Sequence, residues 1–90
     1  LKRFNKKIVN IHPSLLPKYK GLNTHEKAIK NKDKFTGCTV HFVTEKLDSG
    51  KIILQKKIKI QSKDTSISLQ KRVLKEEHKL YPAAIKKIFN

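Results

Sequence analysis

The chain has a single cysteine, Cys38, among its 90 residues, and it contains neither tryptophan nor methionine. One cysteine excludes a disulfide within the chain, and no CxxC pair or cysteine–histidine cluster has the spacing of a zinc site. The sequence therefore predicts no metal centre. Because the chain has no disulfide framework, a reducing compartment is favoured, and we expect the protein to be cytoplasmic.

Long apolar runs are also missing. No hydrophobic stretch approaches the ~18 residues that a membrane-spanning helix needs, and the basic N-terminus has no apolar signal core. Hydrophobic residues make up 37% of the chain, and a lone domain of this size buries only roughly 60–65% of the surface that its unfolded chain exposes. Such a small core leaves a thin stability margin. Together with the start at Leu1, it predicts that the chain is a piece of a larger fold or a domain that depends on a partner for stability. The oligomeric state is left open.

Acidic residues are few: seven Asp and Glu stand against 22 Lys and Arg, which gives a net charge of +15. Such a surface can bind nucleic acid, because cationic side chains displace counterions from phosphate. Arginine, the preferred bidentate ligand of phosphate, occurs only at Arg3 and Arg72. The lysines are scattered, without a run of about five and without interleaved aromatics. We favour a solvated surface that attracts small anions, and a small basic nucleic-acid-binding module is the alternative.

The first third of the chain predicts a strand, an irregular loop and a helix. Residues 6–11 have the character of a strand end. Prolines in the next segment, residues 12–17, remove backbone donors and disfavour helix before them. Thr24 is the expected N-cap of a helix that ends near Asn31.

Two strands are predicted next, over residues 36–43 and 52–60, because both segments are rich in β-branched and aromatic residues. A turn cluster, residues 45–50, separates them. Even-numbered apolar residues of the second strand should share one buried face, whereas Lys57 and Lys59 should face water.

The last third of the chain predicts two helices. Asp64 or Thr65 can cap the first, whose apolar residues recur at near-helical spacing over residues 67–80. Pro82 lacks a backbone donor and should end or kink that helix. Residues 83–89 then form a short terminal helix. Strands alternating with helices in this way are typical of the α/β class.

Polar residues at three places could carry chemistry. Asn10 and His12 lie two residues apart at a strand end, so their side chains share a face. A donating amide beside a proton-shuttling imidazole suits a reaction that forms an oxyanion, although such pairs also occur in ordinary turns. Asp48 could reach His12 and stabilise an imidazolium, or it could merely begin a turn. The carboxylates of Glu76 and Glu77 could accept hydrogen bonds from sugar hydroxyls, or they could belong to a solvated helix face.

Two longer motifs distinguish these possibilities. Residues 10–21 (NIHPSLLPKYKG) resemble the loop after the catalytic strand of the folate-dependent formyltransferase family, and residues 37–50 (GCTVHFVTEKLDSG) resemble its second signature, in the same order and at similar spacing. Residues 77–82 (EHKLYP) are most similar to the branch that acts on glycinamide ribonucleotide. The resemblance covers residues 8–89. It implies that residues 1–90 are the C-terminal catalytic portion of a Rossmann-like formyltransferase domain with a mixed sheet.

The resemblance also implies a reaction and a set of site residues. The formyl group of 10-formyltetrahydrofolate, the co-substrate, passes to the amine of glycinamide ribonucleotide in de novo purine biosynthesis, without a metal or a covalent enzyme intermediate. His12 matches the general acid/base, Asn10 the amide that holds the formyl oxygen, and Asp48 the carboxylate that orients and charges the histidine. The expected folate-binding residues are Asn10, Thr44, Glu45, Lys46, Leu47 and Asp48. The expected nucleotide-binding residues are Leu74, Lys75, Glu76 and Glu77, with Glu77 on the ribose hydroxyls.

Two other residues of the second signature, Cys38 and His41, are expected to be structural. Cys38 should be a small buried thiol, and His41 should make a structural hydrogen bond rather than act in catalysis.

The family's N-terminal nucleotide-binding half is missing from the sequence. That half carries a Gly-rich phosphate loop at a helix start, and Gly21, Gly37 and Gly50 are the only glycines here and lie outside such a loop. We therefore expect the chain alone to bind the nucleotide poorly and to turn over little. Within the family, the alternatives are a deformylase that uses water as acceptor and a methionyl-tRNA formyltransferase. The Glu77-His78 helix and the lack of a further domain favour the ribonucleotide.

Overall fold

The computed structural model describes residues 2–4 and 7–89 and has the α/β architecture that the sequence predicts. Its elements are β1 (Lys2–Phe4), β2 (Lys7–His12), α1 (Thr24–Lys30), β3 (Phe35–Phe42), β4 (Ile52–Lys59) and α2 (Ser66–Ile88). The sequence did not predict β1, and His12 is the last residue of β2 rather than the first of the loop. Lys6, placed in the predicted strand, lies outside the described residues. No helix in the described part of the chain is long and apolar enough to cross a membrane.

The four strands form one sheet in the order β1-β2-β3-β4, and each neighbouring pair is antiparallel. The mixed sheet that the resemblance implies is therefore wrong for the described strands. A parallel pair needs a crossover connection that returns the chain to the same end of the sheet. Here β3 and β4 form a hairpin, and the connection from β2 through α1 also brings the chain back antiparallel.

The core lies where β3 meets the helices, because β3 is buried almost from end to end. One cluster joins the sheet to the end of α2 through Val9, Val40, Ile53 and Ala84. A second cluster joins α1, β3 and the start of α2 through Ala28, Cys38, Leu69 and Val73. Burial raises the pKa of the Cys38 thiol to about 12, so the thiol stays protonated. This confirms the expectation of a small buried thiol.

The register of β4 changes near the hairpin. Val40 pairs with Leu54 and His41 pairs with Ile52, so that Ile53 is passed over. As a result Ile53 is buried in the core, whereas Ile52 is 40% exposed. The expectation that even-numbered residues face the core is wrong at this end, since a bulge reverses the alternation of a strand. Lys57 and Lys59 are exposed, as predicted.

The helix starts follow two different mechanisms. Asn23, in the left-handed region at φ 61°, is the N-cap of α1 and Thr24 is its first residue, so the assignment of Thr24 as the cap is wrong by one position. The helix ends at Lys30 with Asn31 as its C-cap, which confirms the predicted end near Asn31. At the start of α2 the Thr65 hydroxyl accepts from the Ser68 N–H, and the Ser68 hydroxyl accepts from the Thr65 N–H. This capping box satisfies two backbone donors and confirms Thr65 as the cap.

The second helix runs without interruption through Pro82, contrary to the prediction of two helices. Proline removes one backbone hydrogen bond and crowds the preceding turn. On both sides of Pro82, however, apolar residues of α2 pack against the sheet, among them Tyr81 and Ile85. Breaking the helix would separate these contacts from the core, so packing outweighs the local preference.

Candidate active site

His12 ends β2 with its side chain only 7% exposed. Its Nε2 lies 2.8 Å from the carbonyl oxygen of Tyr19, and because a carbonyl only accepts, Nε2 is the donor. The Tyr19 hydroxyl donates in turn to Asp33 at 2.6 Å. These two hydrogen bonds hold the loop that follows β2 against the imidazole ring.

Asp48 lies in the turn after β3, in the left-handed region at φ 46°. Gly50 lets this turn fold back on the strand, since a Cβ there would clash with the Phe42 carbonyl. Oδ2 of Asp48 accepts from the Gly21 N–H at 2.8 Å, and Gly21 has φ 89°, a conformation that favours glycine. A carboxylate from one motif is thus anchored to the backbone of the other.

The same carboxylate oxygen lies 3.4 Å from Nδ1 of His12, and the Asp48 side chain is only 9% exposed. The structure therefore brings together two of the three predicted catalytic residues. Both nitrogens of His12 face oxygen atoms, of Tyr19 and Asp48, and only a doubly protonated ring can donate to both. The pair is shielded from solvent, so counterions screen it less than they would a surface pair.

His41 approaches Asp48 from β3. Its Nδ1 donates to the Phe42 carbonyl at 3.0 Å, which confirms the expected structural hydrogen bond. Its Nε2 lies 3.8 Å from Oδ1 of Asp48. Two imidazoles therefore flank one carboxylate, one near each oxygen.

Asn10 stands opposite His41 in the β2–β3 pairing. It lines a cavity of about 310 Å³ together with His41 and with the turn residues 43–48, including all the predicted folate-binding residues. His12 lines a different cavity of about 410 Å³, beside the start of α1. Asp48 is the link between the predicted catalytic residues, because it contacts His12 and shares the first cavity with Asn10.

Asn10 also borders a second cavity, of about 510 Å³, between β2 and α2. Leu74 and Glu77, two of the four predicted nucleotide-binding residues, line it. Lys75 and Glu76 do not, because they point to other faces of α2; Glu76 instead lies 3.6 Å from Lys79. The other lining residues, which were not predicted from the sequence, are Ile11, His78, Tyr81 and Pro82. The signal was available, since residues 74, 77, 78 and 81 share one helix face.

Burial shifts the pKa values of two ionisable groups near these cavities. Desolvation raises the pKa of Glu77, although the positive charges of His78 and His12 oppose the shift. Burial lowers the pKa of His25 beside the His12 cavity, and the charge of His12 lowers it further. Among the residues that the structure describes, no group of three or more His, Cys, Asp or Glu side chains is arranged to hold a metal ion. Perturbed carboxylates and imidazoles around adjoining cavities are typical of a catalytic site.

Comparisons with known proteins point to one family. The chain is 50% identical over 84 residues to the phosphoribosylglycinamide formyltransferase of Haemophilus influenzae, which covers 93% of the chain. It is 49% identical over 85 residues to the trifunctional purine biosynthetic protein adenosine-3 of Homo sapiens, which covers 94%. The crystal structure of phosphoribosylglycinamide formyltransferase from Bacillus halodurans matches 91% of the chain with a TM-score of 0.86 and 45% identity.

The chain spans only part of each relative: 40% of the Haemophilus influenzae enzyme, 8% of the Homo sapiens protein and 42% of the Bacillus halodurans chain. Nearly the whole of this chain is matched, however: the model of the family described as formyl transferase matches residues 1–85. That match includes both motifs on which the resemblance depends. The chain belongs to the formyl transferase family.

Proposed function

We propose that this chain is the catalytic portion of a phosphoribosylglycinamide formyltransferase, and that it takes part in formyl transfer from 10-formyltetrahydrofolate to the amine of glycinamide ribonucleotide. The contact between His12 and Asp48, 3.4 Å apart, carries the proposal. It joins the two motifs through one nearly buried pair of side chains. A carboxylate held against an imidazole is the arrangement expected of an oriented general acid/base.

The proposed reaction needs an oxyanion donor and a proton carrier. As the amine nitrogen forms its bond to the formyl carbon, the carbonyl oxygen gains negative charge that the Asn10 amide stabilises. His12 transfers the proton that the amine loses to N10 of the folate as the bond between the carbon and N10 breaks. Asp48 stabilises the positive charge that the imidazole carries between taking up this proton and releasing it. The product is formylglycinamide ribonucleotide together with tetrahydrofolate.

The ring nitrogen that serves the substrates in this scheme is Nε2, because Nδ1 faces Asp48. In the structure Nε2 donates to the Tyr19 carbonyl. His12 must therefore exchange this hydrogen bond for one to a substrate atom during the reaction. The loop of residues 13–21 is the part of the site that has to adjust.

The positions of the cavities support the assignment of substrates. We assign the folate to the cavity with residues 43–48 and the nucleotide to the cavity with Leu74 and Glu77. Asn10 borders both cavities, so its amide lies on the path of the formyl group from one substrate to the other. Glu77, with its carboxylate partly withdrawn from water, is suited to accept hydrogen bonds from ribose hydroxyls.

The rest of such an enzyme has to supply the other groups that bind the substrates. A phosphate-binding loop is expected outside these 90 residues, so the chain alone should bind the nucleotide weakly and turn over little. The site residues identified here call for no metal. We also propose a cytoplasmic location, in keeping with the protonated, unpaired thiol of Cys38.

The test is a graft in which residues 8–85 replace the matching segment of the Haemophilus influenzae enzyme. We expect the graft to transfer the formyl group to glycinamide ribonucleotide, and we expect His12→Ala to abolish most of that activity. Formyl transfer at an undiminished rate in His12→Ala would overturn the catalytic assignment.

The same graft distinguishes the alternatives within the family. Release of formate without an acceptor would indicate a deformylase, and transfer to charged methionyl-tRNA in preference to the ribonucleotide would indicate a tRNA formyltransferase. A matched control, Lys57→Ala on the exposed side of β4, should leave all three activities unchanged.

A further inference from the structure

His41 is the most deeply buried of the ionisable groups around Asp48, with only 2% of its side chain exposed. It projects from the penultimate position of the core strand β3, where it is paired with both neighbouring strands. Its Nδ1 is committed as a donor to the Phe42 carbonyl. The ring therefore presents Nε2, in a fixed direction, towards the site.

That Nε2 atom is buried and has no hydrogen-bond partner in the structure. A buried polar atom without a partner costs free energy and is uncommon in folded proteins, so it calls for an explanation. The acceptor in front of it is Oδ1 of Asp48, at 3.8 Å. A small closing movement of the turn would bring the two atoms within hydrogen-bonding distance. Because Nδ1 already donates to Phe42, this second bond forms when both ring nitrogens carry a proton, so that Nε2 donates to the carboxylate.

The two oxygen atoms of the Asp48 carboxylate have different partners. Oδ2 accepts from the Gly21 N–H and faces Nδ1 of His12, while Oδ1 faces His41. The turn that carries Asp48 is otherwise mostly exposed at residues 43–47, so it provides few contacts of its own to orient the carboxylate. A fixed imidazole on Oδ1 would prevent the carboxylate from rotating and would keep Oδ2 on His12.

We propose that His41 is a positioning residue for the reaction, because it holds Oδ1 of Asp48 so that Oδ2 stays aligned with His12. The inference rests on the proposed function and extends it: His41 borders the cavity assigned to the folate, but its Nε2 faces Asp48, and it acts on the reaction through that carboxylate. This role is added to the structural hydrogen bond that the sequence predicts for His41. The hydrogen bond to Phe42 fixes the direction of the ring, and in this direction Nε2 faces Asp48.

Two conservative substitutions separate the roles of the two nitrogens. In the graft, His41→Asn places an amide near the position of Nδ1 and can keep the Phe42 bond, but it cannot reach Asp48. His41→Gln places an amide near the position of Nε2 and can keep the contact with Asp48. We expect His41→Asn to lower kcat by about 10- to 100-fold, the range that a misplacement of roughly 1 Å can cause, while both KM values change little. His41→Gln should recover most of kcat.

The opposite ranking, with His41→Asn fully active and His41→Gln impaired, would show a structural role alone and would overturn the inference. Asp48→Asn and His12→Ala in the same graft keep the two proposals apart. If these variants lose activity while His41→Asn does not, only the role of His41 fails. If they retain activity, the proposed function fails.

A second measurement does not require the His41 variants to fold. In the ¹⁵N-histidine-labelled graft, the Nε2 resonance of His41 should move when Asp48 is changed to Asn, because the atom that it faces loses its charge. The resonance of His78, which lies on exposed α2 surface, is the control and should stay in place. A His41 Nε2 resonance that does not respond to Asp48→Asn would also overturn the inference.

Discussion

Oδ2 of Asp48 lies 3.4 Å from Nδ1 of His12 and accepts a hydrogen bond from the backbone of Gly21. The three residues come from the end of β2, from the loop after it and from the turn after β3. Asp48 therefore couples the position of the loop to that of the imidazole.

Changing Asp48 to Asn should reduce formyl transfer by the graft severely. Asparagine keeps the size of the side chain and an oxygen for the Gly21 N–H, but it removes the negative charge beside His12. We expect kcat to fall by about 100-fold or more, the scale of general acid/base contributions, with smaller changes in KM. Steady-state kinetics at saturating levels of both substrates measure this.

The matched control is Asp64→Asn. Asp64 also has a basic partner, since its carboxylate contacts the Arg72 guanidinium, but it lines neither of the two cavities assigned to the substrates. Its loss should leave kcat within about twofold. Equal losses in the two variants would mean that Asp48 acts through general stability rather than through His12.

Neutralising Asp64 should make the 90-residue chain less stable at neutral pH and leave it unchanged in acid. Burial alone would raise the pKa of Asp64, but the Gln61 N–H, the Ser68 hydroxyl and the Arg72 guanidinium outweigh burial and lower it. A lowered pKa means that the carboxylate stabilises the fold above the unfolded value of about 4. This stabilisation is lost as the pH falls through the lower folded value.

Urea unfolding of Asp64→Asn from pH 7 down to pH 2 measures this effect. The loss in unfolding free energy should be about 1 kcal/mol at pH 7, the scale of a hydrogen bond or exposed ion pair, and should shrink towards zero in acid. Glu26→Gln, at an exposed position of α1, should show little loss at any pH. A loss for Asp64→Asn that is constant with pH would rule out the carboxylate as its source.

Replacing Pro82 with alanine should stabilise the chain. The alanine N–H can donate to the carbonyl of His78, one turn earlier, and the crowding by the proline ring is relieved. Since an interior proline costs a helix about 3 kcal/mol at most sites and α2 already tolerates this one, we expect a gain of about 1 kcal/mol. Urea unfolding measures it, with Ala83→Ser at the next, exposed position as the control for changing this surface. A destabilised Pro82→Ala variant would show that the proline packs in a way that alanine cannot replace.

Pro82 also illustrates how far the sequence predicts this fold. Local signals placed most elements and the Thr65 cap correctly, because capping and alternation depend on neighbouring residues. They failed where distant packing decides, as at Pro82, where contacts with the sheet keep α2 continuous, and at Ile53, where pairing with β3 creates the bulge. For the site, the motifs indicated that His12 and Asp48 belong together. The contact between His41 and Asp48 could not be predicted, because it depends on the direction of a side chain across a folded turn.

Glu77 should determine how the affinity for the nucleotide depends on pH. Glu77→Gln in the graft should raise KM for glycinamide ribonucleotide by about tenfold, since a hydrogen bond to a charged group is worth roughly 1.5–3 kcal/mol, while KM for the folate stays constant. Because burial raises the pKa of Glu77, its carboxylate takes up a proton at a higher pH than an ordinary glutamate does. As the pH falls through that raised value, KM of the unmodified graft should rise until it meets that of Glu77→Gln.

Glu76→Gln is a close control for this prediction, because the neighbouring carboxylate carries the same charge but lies outside the cavity and faces Lys79. It should change KM for the nucleotide less than about twofold and leave its pH dependence intact. If the two substitutions raised KM equally, the overall negative charge of α2 would account for the effect, and Glu77 would have no specific contact with the ribose. If only Glu77→Gln raised KM and also removed the rise in acid, the carboxylate itself would be the group that binds the nucleotide.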